Sequence, residues 1–257
     1  MLDIFDVTLE KLTGDRPRRA YVYVPDAALA DPSLRFPVLY MFDGHNLFYD
    51  HEATYGKSWG IGGYLDATQT PLIVAAVECN HDPDGARLVE YCPFTCHFPG
   101  YGDMKGKGKR TMDFFVNEFK PYIDGNYPTL PDREHTFLAG SSMGGLMTLY
   151  GVVKYNKVFS RGAALSPSVW FAQDQIAAMV EKTRLKPDTV LYMDYGQREM
   201  GFHKEMLTSF SALTKQLLEK KVNLTCRIVP NGNHNEASWE KQLPFFINTL
   251  LYDLEEL

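Results

Sequence analysis

The stretch that decides the reading is FLAGSSMGGLMTLY, Phe137 to Tyr150. An apolar run leads into Gly140-Ser141-Ser142-Met143-Gly144, and residues with helical spacing follow. The five central residues fit G-x-S-x-G, with Ser142 in the middle. The physical reading is a nucleophile elbow: a strand ends, the chain turns sharply at the serine, and a helix begins. The flanking glycines lack Cβ atoms, so strand and helix can pass closely. The hydroxyl then stands at the strand's carboxyl end, where the helix N-terminus favours developing negative charge. Five residues alone are a weak signal, but the apolar run before and the helical pattern after supply the context that the motif requires. A glycine-rich turn without chemistry is the plain alternative. Ser141 is a second hydroxyl in the turn, off the central position.

A serine hydroxyl needs a base within hydrogen-bond reach, and the base needs an orienting carboxylate. On α/β-hydrolase sheets these follow in the chain order Ser, Asp/Glu, His. Of the seven histidines, only His203 and His234 lie beyond the elbow with a strand between. His234 sits in VPNGNHNEASW, after the last expected strand, and is the expected base; His203 reads as a surface or rim residue. The preceding strand, TVLYMDYGQREM, offers Asp194 within the strand and Glu199 in the loop beyond it. Glu199 is favoured because a loop side chain can reach the imidazole. The oxyanion of a tetrahedral intermediate needs backbone donors, each typically worth ~3 kcal/mol. The Met143 amide, next after the nucleophile, is one. The other is expected from the loop Asp43-Gly44-His45-Asn46 after PVLYMF, with the His45 amide as donor. Gly44, Asn46 and Trp170 are candidate substrate-contacting residues.

Outward from the elbow, short apolar and β-branched runs alternate with helical patterns. The runs are 20–24, 37–42, 71–77, 135–140, 161–166, 189–195 and 224–229. Several are apolar at consecutive positions, as strands covered on both faces should be. Helical stripes join Phe115, Phe119, Tyr122 and Ile123 (with Pro121 expected to kink or restart the helix), then Leu146, Leu149, Tyr150 and Val153. Met206, Phe210, Leu213 and Leu217 make a third stripe, and Leu243, Phe246, Ile247 and Leu250 a fourth. The alternation predicts a mostly parallel sheet with helices on both faces and a site beyond the strands' carboxyl ends. The whole chain, 1–257, reads as a single domain. A proline- and aromatic-rich excursion at about 80–110 is expected to form one wall of the pocket.

The motifs, in their order, resemble the "putative esterase" family of α/β-hydrolases. That family includes enterochelin (siderophore) esterases, S-formylglutathione hydrolase, and feruloyl and acetylxylan esterases. VLYMFDGHNLF is similar to its oxyanion loop, RLVEYCPF to its Arg-x-x-Glu-Tyr-x-Pro segment, and GSSMGGLMTLY to its elbow. DYGQRE resembles its Asp-x-Gly-x-x-Glu segment, whose final acid, here Glu199, would complete a triad, and GNHNEASW its histidine loop. The resemblance implies an α/β-hydrolase sheet of about eight strands and a serine carboxylic-ester hydrolase working through an acyl-enzyme. Its substrate would be a small, aryl or sugar ester. Acyl transfer on the same fold and a catalytically silent binding module are the alternatives. The CPFTCHFPG insertion departs from the family pattern.

Composition bounds the rest. The 257 residues are 45% hydrophobic and 23% charged with a net charge of −6, which gives no electrostatic case for nucleic acid or an anionic membrane. No apolar run approaches the roughly 18 residues of a membrane span. The N-terminus lacks the basic and apolar regions of a signal peptide, so a cytoplasmic location is the expectation. Cys92, Cys96 and His97, with Cys79 and His81 nearby, lack the spacing of a structural zinc knuckle; no metal or cofactor is expected. A homo-oligomer is compatible with everything above.

Overall fold

The computed structural model describes residues 1–98, 102–199 and 204–253. Pro99 and Tyr101 of the excursion, and His203, lie outside them. Eight strands form one sheet in the order β1-β2-β4-β3-β7-β8-β9-β10. They are β1 (Leu2–Thr8), β2 (Pro17–Tyr23), β3 (Val38–Phe42), β4 (Ile73–Val77), β7 (Thr136–Ser141), β8 (Arg161–Leu165), β9 (Val190–Gly196) and β10 (Asn223–Val229). From β4 to β10 every neighbouring pair is parallel, and only β2, between β1 and β4, runs against its neighbours. A separate antiparallel hairpin pairs β5 (Thr95–Phe98) with β6 (Gly102–Lys105).

The apolar runs fill the middle of the sheet because both faces are covered. In β3, β4 and β7 every residue is buried. One core lies between the sheet and the helices carrying Phe115, Leu146, Ile176 and Phe210. The other packs Leu39, Val74 and Tyr192 against Ile61, Leu65, Phe246 and Ile247. Three of the four expected helical stripes are buried throughout; in the remaining one, Tyr122 is exposed beside buried Phe115, Phe119 and Ile123.

One element departs from expectation, and one takes an unexpected form. The strand β1 comes from the N-terminal segment, whose alternating partial burial suits an outer strand packed on one side. Pro121 marks a restart, as expected, standing in the first turn of the α-helix Lys120–Asn126. Residues Phe115–Phe119 are wound as a π-helix between the α-helices Gly108–Phe114 and Lys120–Asn126. Widening the turn just before the proline shifts the hydrogen-bond register where an amide is missing, so α-helical winding resumes.

Candidate active site

The sheet delivers its functional groups at one edge. The loops after β3, β4, β7, β8, β9 and β10 leave from the carboxyl ends of parallel strands, and the candidate residues sit on them. Ser142 follows β7 and has φ 58 and ψ −121, a left-handed conformation costly for any side chain. The cost is tolerated because strand and helix hold the turn on both sides. The Ser142 amide donates to Leu165 O (2.9 Å), and its carbonyl accepts from the amides of Leu146 (3.1 Å) and Ser168 (3.0 Å). A Cβ on Gly140 would lie 2.7 Å from the backbone of Gly144, so only glycine lets the strand pass this close to the helix. Met143 opens the helix Met143–Lys154, where an amide has no intrahelical acceptor.

Glu199 is 3% exposed. Its Oε2 lies 2.7 Å from His234 Nδ1, and its Oε1 accepts from the Gly196 amide (2.8 Å) and the Ser166 hydroxyl (2.7 Å). Trp239 Nε1 donates to that same hydroxyl at 3.0 Å, and the Trp239 ring meets the His234 ring edge-on at 5.1 Å. The carboxylate therefore points one oxygen at the imidazole, with the other fixed by two contacts at the ends of β9 and β8. Asp194, the other acid of the segment, faces elsewhere. It accepts from Tyr192 Oη (2.8 Å) and the Ser166 amide (3.2 Å), and burial pushes its carboxyl up to about 7.

Ser142, Met143, Trp170, Glu199 and His234 line one cavity of about 280 Å³, together with Leu88, Ser168, Phe171, Arg198, Met206 and Asn233. The Ser142 hydroxyl lies 3.4 Å from that of Ser168. Among the described residues no hydrogen bond joins it to His234, a common state of a serine–histidine pair before substrate binds.

Gly44, His45 and Asn46 do not line the cavity. A Cβ on Gly44 would stand 2.7 Å from Tyr21 and 3.1 Å from the backbone of Val77, so packing under the loop requires the glycine. Asn46 Oδ1 accepts from the amide (2.9 Å) and hydroxyl (3.1 Å) of Thr54, which ties the loop to residues further along the chain. The His45 ring is buried, with Nε2 3.1 Å from Thr54 Oγ1. Burial pushes its pKa down to about 4, so it is neutral at pH 7.

Sequence reasoning missed what holds this loop. Asp43, at φ 57 and buried, receives two bonds from Arg87 (2.8 and 2.6 Å), and its amide donates to Tyr91 Oη (3.2 Å). Burial alone would raise the Asp43 carboxyl, but the guanidinium outweighs it and holds it below the usual range. Glu90 takes two 2.6 Å bonds from Arg18. Arg87-x-x-Glu90-Tyr91 is thus a clamp anchoring the loop after β3 and the start of β2. The motif stood out in the sequence, but its two partners, Asp43 and Arg18, lie 44 to 72 residues away. In the excursion, Cys92 and Cys96 are free thiols with sulfurs 3.4 Å apart, and His97 pairs with Asp103.

A serine at a left-handed strand–helix turn, a histidine held by a carboxylate and a parallel sheet behind them define the α/β-hydrolase class. The profile of the family described as "Esterase: Putative esterase" matches residues 12–250. The chain belongs to that family and is a carboxylic ester hydrolase. It is 26% identical over 243 residues to "Uncharacterized protein YbbA" of Bacillus subtilis (strain 168), across 91% of each chain. An IroE-like serine hydrolase from Shewanella oneidensis matches with a TM-score of 0.74 and 19% identity, over 96% of this chain and 78% of that one. The siderophore hydrolase EstA from Aspergillus nidulans matches with a TM-score of 0.69 and 16% identity, over 96% and 94%. Likeness at these identities carries the fold. No helix among the described residues is long and apolar enough to cross a membrane.

Proposed function

We propose that the chain hydrolyses esters by covalent catalysis with Ser142 as nucleophile, His234 as general base and acid, and Glu199 as the orienting carboxylate. Ser142 attacks the ester carbonyl while His234 Nε2 takes its proton. Glu199, bonded to Nδ1, holds the tautomer and stabilises the imidazolium. The Met143 amide, which lines the cavity, receives the oxyanion, and the His45 amide, on the loop whose Asp43 lies against the elbow helix at Gly144, is the second donor of the proposal. His234 then protonates the leaving alcohol, and water repeats the cycle on the acyl-enzyme. The observation that carries this reading is the 2.7 Å Glu199–His234 contact, lining the same cavity as a serine at φ 58.

The lining supports a compact, largely apolar ester. Leu88, Met143, Trp170, Phe171 and Met206 supply apolar and aromatic surface, while Arg198 and Asn233 add polarity. An aryl acyl group fits this composition better than an unsubstituted sugar, whose hydroxyls would lose water without enough partners. The test is hydrolysis of short-chain p-nitrophenyl esters by the wild type and Ser142→Ala, with a panel of aryl and acetyl-sugar esters beside it. The substitution is expected to cost on the order of 10⁴- to 10⁶-fold. Equal rates would remove Ser142 from the mechanism.

A further inference from the structure

Behind the loop after β3, three side chains converge that the ester-hydrolysing site does not use. One ring nitrogen of His45, the Cys79 sulfur and one ring nitrogen of His81 all lie within 4.8 Å of one another. Cys79 Sγ is 4.0 Å from His81 Nδ1, and the two imidazole rings meet edge to face at 4.5 Å. We propose that His45, Cys79 and His81 form a zinc-binding site, with its fourth position open to solvent.

Three observations point to a ligand. First, His45 is 3% exposed, yet its Nδ1 has no hydrogen-bond partner. A buried nitrogen left without one costs about 1–3 kcal/mol, and a metal ion would accept its lone pair. Second, the remote nitrogen of each ring is already held. His45 Nε2 meets Thr54 Oγ1 at 3.1 Å, and His81 Nε2 faces Glu78 Oε2 at 3.5 Å. Outer partners of this kind, a carboxylate above all, fix the ring of a metal-bound histidine and leave the other nitrogen for the ion. Third, two imidazoles and a thiolate are a borderline-soft set that suits Zn²⁺ better than the hard cations.

Tetrahedral zinc wants ligand atoms about 3.3–3.6 Å apart, given bonds of ~2.0 Å to nitrogen and ~2.3 Å to sulfur. The cluster is wider than this by up to about 1.5 Å. His81, 53% exposed at its side chain, can rotate to close the gap and leaves the outward position open. Asp43 stands beside the cluster, with Arg87 bonded to both its oxygens and its carboxylate also in contact with the Cys79 thiol. On binding, the Cys79 thiol gives its proton to solvent, and the imidazoles bind through lone pairs. The ion would link the loop after β3 to the segment after β4.

The test is titration of the full chain with Co²⁺, a spectroscopic stand-in for zinc. One equivalent is expected to produce a thiolate-to-cobalt charge-transfer band in the near-ultraviolet, and one equivalent of Zn²⁺ to bleach it. His81→Ala, at an exposed position and safe for folding, should weaken binding by about 100-fold or more, since even an outer partner is worth 10- to 100-fold. Cys79→Ser should remove the band, and Cys92→Ser/Cys96→Ser should leave it intact. The absence of a stoichiometric band, failure of Zn²⁺ to displace cobalt, full affinity in His81→Ala, or loss of the band only in the Cys92/Cys96 variant would each overturn the assignment.

Discussion

Glu199 shows how much one side chain is asked to do. One oxygen is tied to the Gly196 amide and the Ser166 hydroxyl, and the other is left for His234. Glu199→Gln keeps an acceptor for the first pair but can present an N–H to the imidazole, which favours the wrong tautomer. A fall in kcat of about 10²- to 10⁴-fold with little change in KM is expected, read from steady-state kinetics on an aryl ester. More than half the wild-type kcat would contradict the assigned role. Arg87 acts at one remove, through Asp43. Arg87→Met would leave a buried carboxylate without its partner beside the oxyanion loop. If that loop supplies one donor, kcat should drop by roughly 10- to 100-fold and Arg87→Lys should recover part of it. An unchanged kcat in Arg87→Met would detach the clamp from catalysis. At this scale the sequence singled out Ser142, Glu199 and His234 by motifs with a chemical rationale, and the three line one cavity. It was silent on Asp43, Ser166 and Ser168, whose importance arises only when distant loops meet.

Among the elements, β9 carries an electrostatic cost that can be measured. Burial raises the Asp194 carboxyl to about 7, against about 3.9 in an unfolded chain. The folded state therefore holds its proton to higher pH than the unfolded state does. The stability this contributes is complete below about pH 4 and is lost as pH rises through about 7, on the order of 4 kcal/mol in all. Asp194→Asn removes that dependence. Its Tm relative to the wild type should climb between pH 5 and pH 8 in thermal melts; a constant difference would show that Asp194 ionises normally. At the elbow, Gly140→Ala forces a Cβ to within 2.7 Å of Gly144. Overpacking of backbone against backbone should cost about 1–3 kcal/mol in denaturant unfolding, and activity should fall further because Ser142 is displaced. The central strands were legible because burial on both faces makes their apolar runs continuous. Outer β1 was not, since its Ile4 is 43% exposed and its charges break the run. The hairpin of β5 and β6 sits in a segment whose pairing depends on contacts that no local pattern encodes.

Over the whole molecule, the sheet order explains why six loops with unrelated sequences meet at one edge. Parallel strands place all their carboxyl ends together, so residues 43, 142, 199 and 234 become neighbours without local sequence contact. That consequence followed from the alternation of strands and helices alone. The lining of the cavity did not, because Leu88, Phe171 and Met206 reach it from three separate segments.

The central claim is that Ser142 is made nucleophilic by His234. Labelling with a fluorophosphonate, followed by peptide mass spectrometry, tests it most directly. A single adduct on Ser142 is expected in the wild type, with a labelling rate lowered by about 10³-fold or more in His234→Ala. An adduct on Ser141 or Ser168, or equal labelling rates in the two proteins, would contradict it.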